Sequence, residues 1–311
     1  MKKTVYIDGQ EGTTGLKIVQ RLENRPDLAI IKIAEHLRKD VNERKKLMNQ
    51  SDYTFLCLPD EAAREAISLI ENEKVKVIDA STAHRVNPDW AYGFPELSAS
   101  HREKIEESKR VAVPGCYASG FAALVYPLMT VGILPKEYPV TCHAISGYSG
   151  GGKQTIQAYE ANNRSEEYEA PRLYALGQQH KHLKEMQVTS NLVYPPIFNP
   201  SIADFYQGMT VSIPLHTRLL GEQRTAVEIH QLLENYYQDA PFIDVQPFAT
   251  EGLLAANGVV DSNKMEIFVS GHEDQILLVA RLDNLGKGAS GAAVQCLNIM
   301  MGIDEGTSLI D

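Results

Sequence analysis

The first 115 residues alternate short, continuous apolar runs with amphipathic stretches, and few folds accommodate that alternation. The apolar runs are Thr4–Ile7, Leu28–Ala34, Tyr53–Leu58 and Val75–Ala80. Between them, Gly15–Asn24 sets Leu16, Val19 and Leu22 at helical spacing, Val41–Gln50 is a polar helix, and Glu61–Glu71 is a third. Buried strands joined through helices predict a parallel sheet with right-handed crossovers. This part is expected to be a Rossmann-like, doubly wound α/β domain over residues 1–115.

Beyond it the texture changes. A helix is predicted over Ala118–Met129, then strands at Val140–Ile145, Gln187–Val193, Thr210–Pro214, Ile267–Ser270 and Gln275–Asp283. Strands that follow strands predict an inserted α+β domain with a mostly antiparallel sheet over 116–284. Residues 160–179 are polar and weakly periodic, which marks an irregular loop. Lys287–Gly302 is a helix of small residues with an apolar stripe, in a C-terminal segment running 285–311.

The first strand and first helix are joined by Asp8-Gly9-Gln10-Glu11-Gly12-Thr13-Thr14-Gly15. Glycines three apart permit a tight turn and close backbone approach to a pyrophosphate, and the helix start supplies free N–H groups. Gly9, Gly12, Thr13, Thr14 and Gly15 are therefore candidate dinucleotide ligands. After the second run, Glu35 suits a ribose diol, whereas Arg38 or Lys39 suits a 2′-phosphate. These residues leave NAD and NADP both open.

The stretch Val113-Pro114-Gly115-Cys116-Tyr117 breaks an apolar strand at Pro-Gly and sets Cys116 at the mouth of a new helix. A thiol there meets the positive end of the helix dipole, which favours the nucleophilic thiolate. Cys57, Cys142 and Cys296 sit in apolar surroundings that suit inert, buried cysteines. Among nine histidines, His180-Lys181-His182 holds the one close pair, and imidazole can act as acid and base near neutral pH. No carboxylate or thiol pattern beside it suggests a metal site.

Composition closes other routes. A net charge of −10 without a long basic block argues against nucleic acid. No apolar run nears the roughly 18 residues of a membrane span, and Asp8 and Gly9 interrupt any secretory leader. Four scattered cysteines without a CxxC pair suit a reducing cytoplasm.

Taken in order along the chain, several segments are similar to the short form of the N-acetyl-γ-glutamyl-phosphate reductase family. They are Gly9–Gly15, Asp79-Ala80-Ser81-Thr82-Ala83-His84-Arg85, Tyr92-Gly93-Phe94-Pro95-Glu96-Leu97 and Pro114-Gly115-Cys116-Tyr117. The remainder are Ser146-Gly147-Tyr148-Ser149-Gly150-Gly151-Gly152-Lys153, His180-Lys181-His182 and Asn284-Leu285-Gly286-Lys287-Gly288-Ala289. The resemblance implies a C-terminal helix returning to the nucleotide domain. It implies Cys116 as nucleophile, His180 as acid/base with His182 in second place, and NADPH as cofactor.

It further implies an acyl-phosphate substrate reduced through a cysteine thioester in arginine biosynthesis, by a homo-oligomer (dimer or tetramer). Arg38, Ser81, Gly150, Asn284 and Gly286 are expected at the cofactor, and Arg85, Ser146, Lys153 and Arg172 at the anionic substrate. The competing activities are those of an aspartate-semialdehyde dehydrogenase or a carrier-linked reductase of lysine biosynthesis. A different class, an NADP-binding redox sensor without turnover, would make Cys116 dispensable.

Overall fold

The apolar runs of the first part become β1 (Lys3–Asp8), β2 (Leu28–Ile31), β3 (Tyr53–Leu56) and β4 (Lys76–Asp79). Helices α1 (Thr13–Leu22), α2 (Val41–Gln50) and α3 (Asp60–Ser68) alternate with them. A short β5 (Ala91–Tyr92), α4 (Ala99–Glu107) and β6 (Arg110–Ala112) follow. All six strands are parallel, in the order β2-β1-β3-β4-β6-β5. Val5, Phe55, Val77 and Ile78 are fully buried, as a parallel sheet covered on both faces requires. The second run ends as a strand at Ile31 and turns into a 3-10 segment at Glu35–Leu37. Strand order reverses at β1, which has β2 on one side and β3 on the other; ligands bind at the carboxyl ends of strands at such a point.

The structure is a computed structural model, and it describes residues 2–309. The chain divides into two units: unit 1 takes Met1–Pro114 with Ala289–Asp311, and unit 2 takes Gly115–Gly288.

Unit 2 opens with α5 (Cys116–Thr130), β7 (Thr141–Gly147), α6 (Gly152–Tyr159), the two-residue β8 (Arg172–Leu173) and α7 (His182–Thr189). It continues with β9 (Ile197–Ala203), β10 (Met209–His216), α8 (Ala226–Tyr237), β11 (Ile243–Val245), β12 (Met265–Gly271) and β13 (Gln275–Leu282). Its sheet runs β11-β12-β13-β10-β7-β9-β8 and is mostly antiparallel, with parallel pairs at β11–β12 and β7–β9. Alternation is clean: Met209, Val211, Ile213 and Leu215 of β10 are buried, as are Met265, Ile267 and Val269 of β12. The apolar helix α5 covers that inner face, and at Gly120 a Cβ would come within 2.7 Å of a Val211 methyl. Glycine there lets helix and sheet approach closely.

Two segments differ from the sequence expectation. Gln187–Val193 was expected as a strand, but its first part belongs to α7 and a turn follows, with Asn191 at φ 52. The buried residues His182, Leu183, Glu185 and Met186 show a helical period that the β-branched Val188, Thr189 and Val193 obscure. Ile197–Ala203 is a strand that Pro200 hides, since proline cannot donate to a ladder.

After β13 a π-helical turn, Gly286–Ser290, leads into α9 (Gly291–Met301), whose residues Gly291–Met300 are all buried. This helix belongs to unit 1. The Tyr53 hydroxyl and Lys76 Nζ donate to the Met300 carbonyl at 3.3 and 3.0 Å, and Arg25 Nη1 donates to Asn298 Oδ1 at 2.7 Å. Gln295 donates to Glu96 at 2.8 Å, which gives the Glu96 of the Tyr92–Leu97 segment a structural role.

Candidate active site

Cys116 is the first residue of α5, capped by Gly115 in an extended conformation with no side-chain cap. Its thiol is half-buried. The positive end of a 15-residue helix therefore acts on the sulfur without a competing capping oxygen. The other thiols are quiet. Burial beside Asp79 and Asp8 pushes Cys57 up to about 12, burial raises Cys142, and Cys296 is buried with its sulfur on the Gly93 carbonyl.

Three features fix the cysteine from behind. The Gly115 N–H donates to Glu185 Oε1 at 2.8 Å, and Glu185 is 2% exposed. Gly288 of the π-helical turn packs so closely that a Cβ there would lie 2.8 Å from Cys116 Cβ. The turn itself hangs from Asp283, whose buried carboxylate accepts from the N–H groups of Asp261 and Leu285 at 2.7 and 2.9 Å. Burial raises the Asp283 carboxyl above its ordinary 3.8, against those hydrogen bonds.

Both histidines lie with the ring that follows the cysteine. Tyr117 is 5.8 Å from His180 and 5.9 Å from His182, centroid to centroid, and the two imidazoles are 4.7 Å apart. His182 starts α7 and is buried; His180, just before it, is half-buried. Tyr174 adds a ring 5.7 Å from His180, and its hydroxyl donates to that of Tyr117 at 3.0 Å. Burial raises both phenols, with the Cys116 sulfur adding to the effect, so each stays a neutral hydroxyl. Tyr117, Tyr174 and Glu185 were not singled out from sequence; only the Cys-Tyr pairing carried a signal.

The remaining predicted residues of unit 2 divide. Ser146 is buried at the end of β7, and Gly150 lies against it: a Cβ would come 3.0 Å from Ser146 Oγ. Asn284 is spent internally, donating to Ser149 Oγ at 2.9 Å and accepting from Gly208 N–H at 2.8 Å. At Gly286 a Cβ would stand 2.0 Å from the Ser262 carbonyl oxygen, so this turn admits only glycine. Arg172, in β8, lies 3.8 Å over Tyr168 and 5.0 Å over Tyr159, in an aromatic bracket. Lys153 is exposed in the first turn of α6.

Unit 1 holds the glycine-rich turn between β1 and α1. Gly9 has φ +84, and a Cβ would meet the Cys57 carbonyl oxygen at 2.3 Å; one on Gly15 would meet the Gly9 carbonyl oxygen at 2.4 Å. Gly12 caps α1 without a side-chain bond, so the N–H groups of Thr13, Thr14 and Gly15 remain open to an anion. Beside the turn is a cleft of about 590 Å³ lined by Asp8, Gln10, Ile33, Arg38, Lys39 and Arg44, among others. The closeness at Gly9 and Gly15 and the open helix start fit a dinucleotide. Arg38 pairs with Glu35 at 3.4 Å and Glu11 at 3.8 Å on the rim, which leaves a cation free to trade carboxylates for a phosphate.

At the end of β4, Ser81 and His84 both bond the fully buried Asp79, at 2.7 and 2.6 Å, and His84 stacks on Trp90. Arg85 donates to the carbonyls of Val113 and Ala80 at 2.8 and 3.0 Å, bonds that tie the loop to β6's exit. Among the described residues, no group of three or more His, Cys, Asp or Glu side chains is placed to hold a metal, and no helix is long and apolar enough to cross a membrane.

Comparisons with known proteins agree with this division. Residues 4–107 match the model of the semialdehyde dehydrogenase NAD binding domain, and 116–284 match that of the semialdehyde dehydrogenase dimerisation domain. N-acetyl-gamma-glutamyl-phosphate reductase 2 of Nostoc is 48% identical, covering 98% of each chain. The N-acetyl-gamma-glutamyl-phosphate reductase of Brucella suis is 46% identical over 97% of this chain and all of its own. Among solved structures, aspartate semialdehyde dehydrogenase II of Vibrio cholerae shares the fold with TM-score 0.71 at 14% identity, covering 97% of this chain and 99% of its own. That of Francisella tularensis superposes with TM-score 0.72 at 13% identity, over 97% of this chain and all of its own. Those low identities speak to fold alone, whereas the full-length kinship places the sequence more narrowly: the chain belongs to the N-acetyl-γ-glutamyl-phosphate reductase family, within the semialdehyde dehydrogenases.

Proposed function

We propose that the chain is an NADPH-dependent reductase that converts N-acetyl-γ-glutamyl phosphate to N-acetylglutamate 5-semialdehyde and phosphate, in arginine biosynthesis. The observation that carries this is Cys116 at the bare start of α5, with Gly288 packed against it and His180 and His182 against the ring of the neighbouring Tyr117. The Cys116 thiolate attacks the acyl carbon; a C–S bond forms, the C–O bond to phosphate breaks, and a thioester results. The proton lost by the thiol balances the hydrogen phosphate released. NADPH, when bound, supplies the hydride that takes the acyl carbon to the aldehyde level. Release of the aldehyde returns the thiol, and His180, with His182 in second place, manages that proton.

For binding, Gly9, Gly12, Thr13, Thr14 and Gly15 are assigned the pyrophosphate, and Arg38 the 2′-phosphate in exchange for Glu11 and Glu35. Ser81, held by Asp79, is assigned to the cofactor from the end of β4. Arg172, oriented by its tyrosine bracket, and Ser146 are assigned to the substrate, with Lys153 as an exposed counter-charge; Arg85 serves the loop. Gly150, Asn284 and Gly286 shape the wall near the cysteine. The outward face of the second sheet exposes Ile145, Ile197 and Leu277 at 40, 56 and 40%, and this supports a homodimer formed through that face. Four scattered cysteines without a CxxC pair suit the cytoplasm.

The test runs the reaction in reverse, with N-acetylglutamate semialdehyde, phosphate and NADP, beside a Cys116→Ala variant. Phosphate-dependent NADPH formation is expected, and it should fall at least about 10⁴-fold in the variant. Turnover with aspartate semialdehyde instead would retain the mechanism and move the substrate. Silence with both aldehydes would overturn the enzyme assignment.

A further inference from the structure

The cleft beside the glycine-rich turn holds a charged pair that the cofactor contacts assigned above leave unused. The buried residues of the otherwise polar α2 are Arg44, Leu47 and Met48, so an arginine takes a core position of that helix. Its side chain is 9% exposed, and that of Asp8, at the end of β1, is 5% exposed. Nε and Nη2 of Arg44 donate to Asp8 Oδ2 at 3.1 and 2.9 Å, and Nη1 lies 4.0 Å from Glu65. A buried ion pair gains little stability over well-packed apolar side chains of similar volume, so stability does not account for this one. The cleft offers it another use: Arg44 and Asp8 line it together with Ile33, Val41, Leu58 and Ala62.

We infer that Arg44, seated by Asp8, is the flat platform on which the adenine ring of the dinucleotide stacks, and that it sets the affinity of the cleft for that base. This rests on the dinucleotide reading of unit 1 and adds a residue to it. A guanidinium carries its five N–H donors around its edge and stacks on aromatic rings through its face. In Arg44 the Nε–Nη2 edge is committed to Asp8, so the face is what remains for a ligand. Ile33, Val41, Leu58 and Ala62 make much of the surrounding lining aliphatic, which suits a neutral heterocycle.

The charges in the cleft divide the same way. Arg44 stands between the carboxylates of Asp8 and Glu65, so its surroundings carry no surplus of positive charge to hold a phosphate. Arg38 on the rim also has two carboxylate partners, but Glu11 and Glu35 are 56 and 88% exposed and free to swing into water. Asp8 is enclosed and has no such freedom. The rim arginine can therefore change partners for the 2′-phosphate, while the inner one keeps its partner and offers its plane to the base on the same ribose. Burial raises the Asp8 carboxyl and the bonds from Arg44 oppose that rise, so the two groups depend on each other.

The experiment measures nucleotide binding to the full-length chain by isothermal titration calorimetry, without substrate or turnover. The probes are 2′,5′-ADP and 5′-AMP, which share the base and differ in the 2′-phosphate. Arg44→Lys keeps a cation beside Asp8, and with it the tie between β1 and α2, but loses the plane. The double variant Asp8→Asn/Arg44→Met removes both charges and strands neither. Both variants should bind both probes about tenfold more weakly, with the urea unfolding midpoint of the lysine variant unchanged. Wild-type affinity in the lysine variant would overturn the inference and leave the pair a tie between strand and helix. A loss confined to 2′,5′-ADP would also overturn it, since that marks a phosphate contact. A wild-type chain that binds neither probe would overturn the dinucleotide reading itself, and this inference with it.

Discussion

The glycine-rich turn of unit 1 and the histidine loop of unit 2 solve the same problem, holding backbone in an unusual path, by opposite means. The turn uses residues that can do nothing else: Gly9 at φ +84 and Gly15 against a carbonyl oxygen leave no room for a side chain. The loop places ordinary residues, Ala175 and Gln178, at φ 53 and holds them there with partners from β9 and α7. The first device is written in three letters of local sequence. The second exists only once the sheet has formed.

That contrast governs what could be known beforehand. The alternation of β1 to β4 with α1 to α3 was legible because each strand is apolar in its own right. Cys116 was legible because Pro-Gly marks both the strand's end and the helix's start. α7 was not, since its buried residues include His182 and Glu185, which look polar until the partners are known: Tyr117 for the first and the Gly115 N–H for the second. β9 was lost to Pro200, and Tyr174 had no local cue at all. Asn284 was picked out for the cofactor turn, and its side chain proves to be occupied with Ser149 and Gly208.

Paired glycine variants break the comparison most strongly. Gly9→Ala sets a Cβ 2.3 Å from the Cys57 carbonyl oxygen and should weaken NADPH binding about 100-fold, read by fluorescence titration. Gly288→Ala pushes on Cys116 Cβ and should instead lower kcat about 100-fold with NADPH binding unchanged. If both variants affect the same parameter, the two regions are not independent devices.

Asp283→Asn sharpens the comparison from the side of stability. An amide can accept one of the two backbone N–H bonds but not both, so about 1–3 kcal/mol should be lost in urea unfolding. The sign with pH is also fixed. Because burial raises the folded carboxyl above the ordinary 3.8, the folded protein takes up a proton before the unfolded chain does. The wild-type contribution therefore falls as pH rises from about 3.8 through the higher folded value, and that slope should vanish in the variant.

The smallest effect concerns the rim of the nucleotide cleft. Arg38→Ala should reduce the preference for NADPH over NADH about tenfold in kcat/KM, while leaving NADH kinetics nearly unchanged. An unaltered ratio would remove Arg38 from the 2′-phosphate site and turn attention to Lys39.

The return of α9 to unit 1 carries a consequence for how the protein is made. Gly291–Met300 is buried on every side, among α1, α4 and β4. A ribosome delivers residues 1–114 long before that helix, so the nascent nucleotide unit must wait with an open seam while the contiguous second unit emerges and folds. Synthesis order and assembly order are thereby inverted, and premature termination anywhere before residue 289 would leave both a lost helix and an exposed apolar trough.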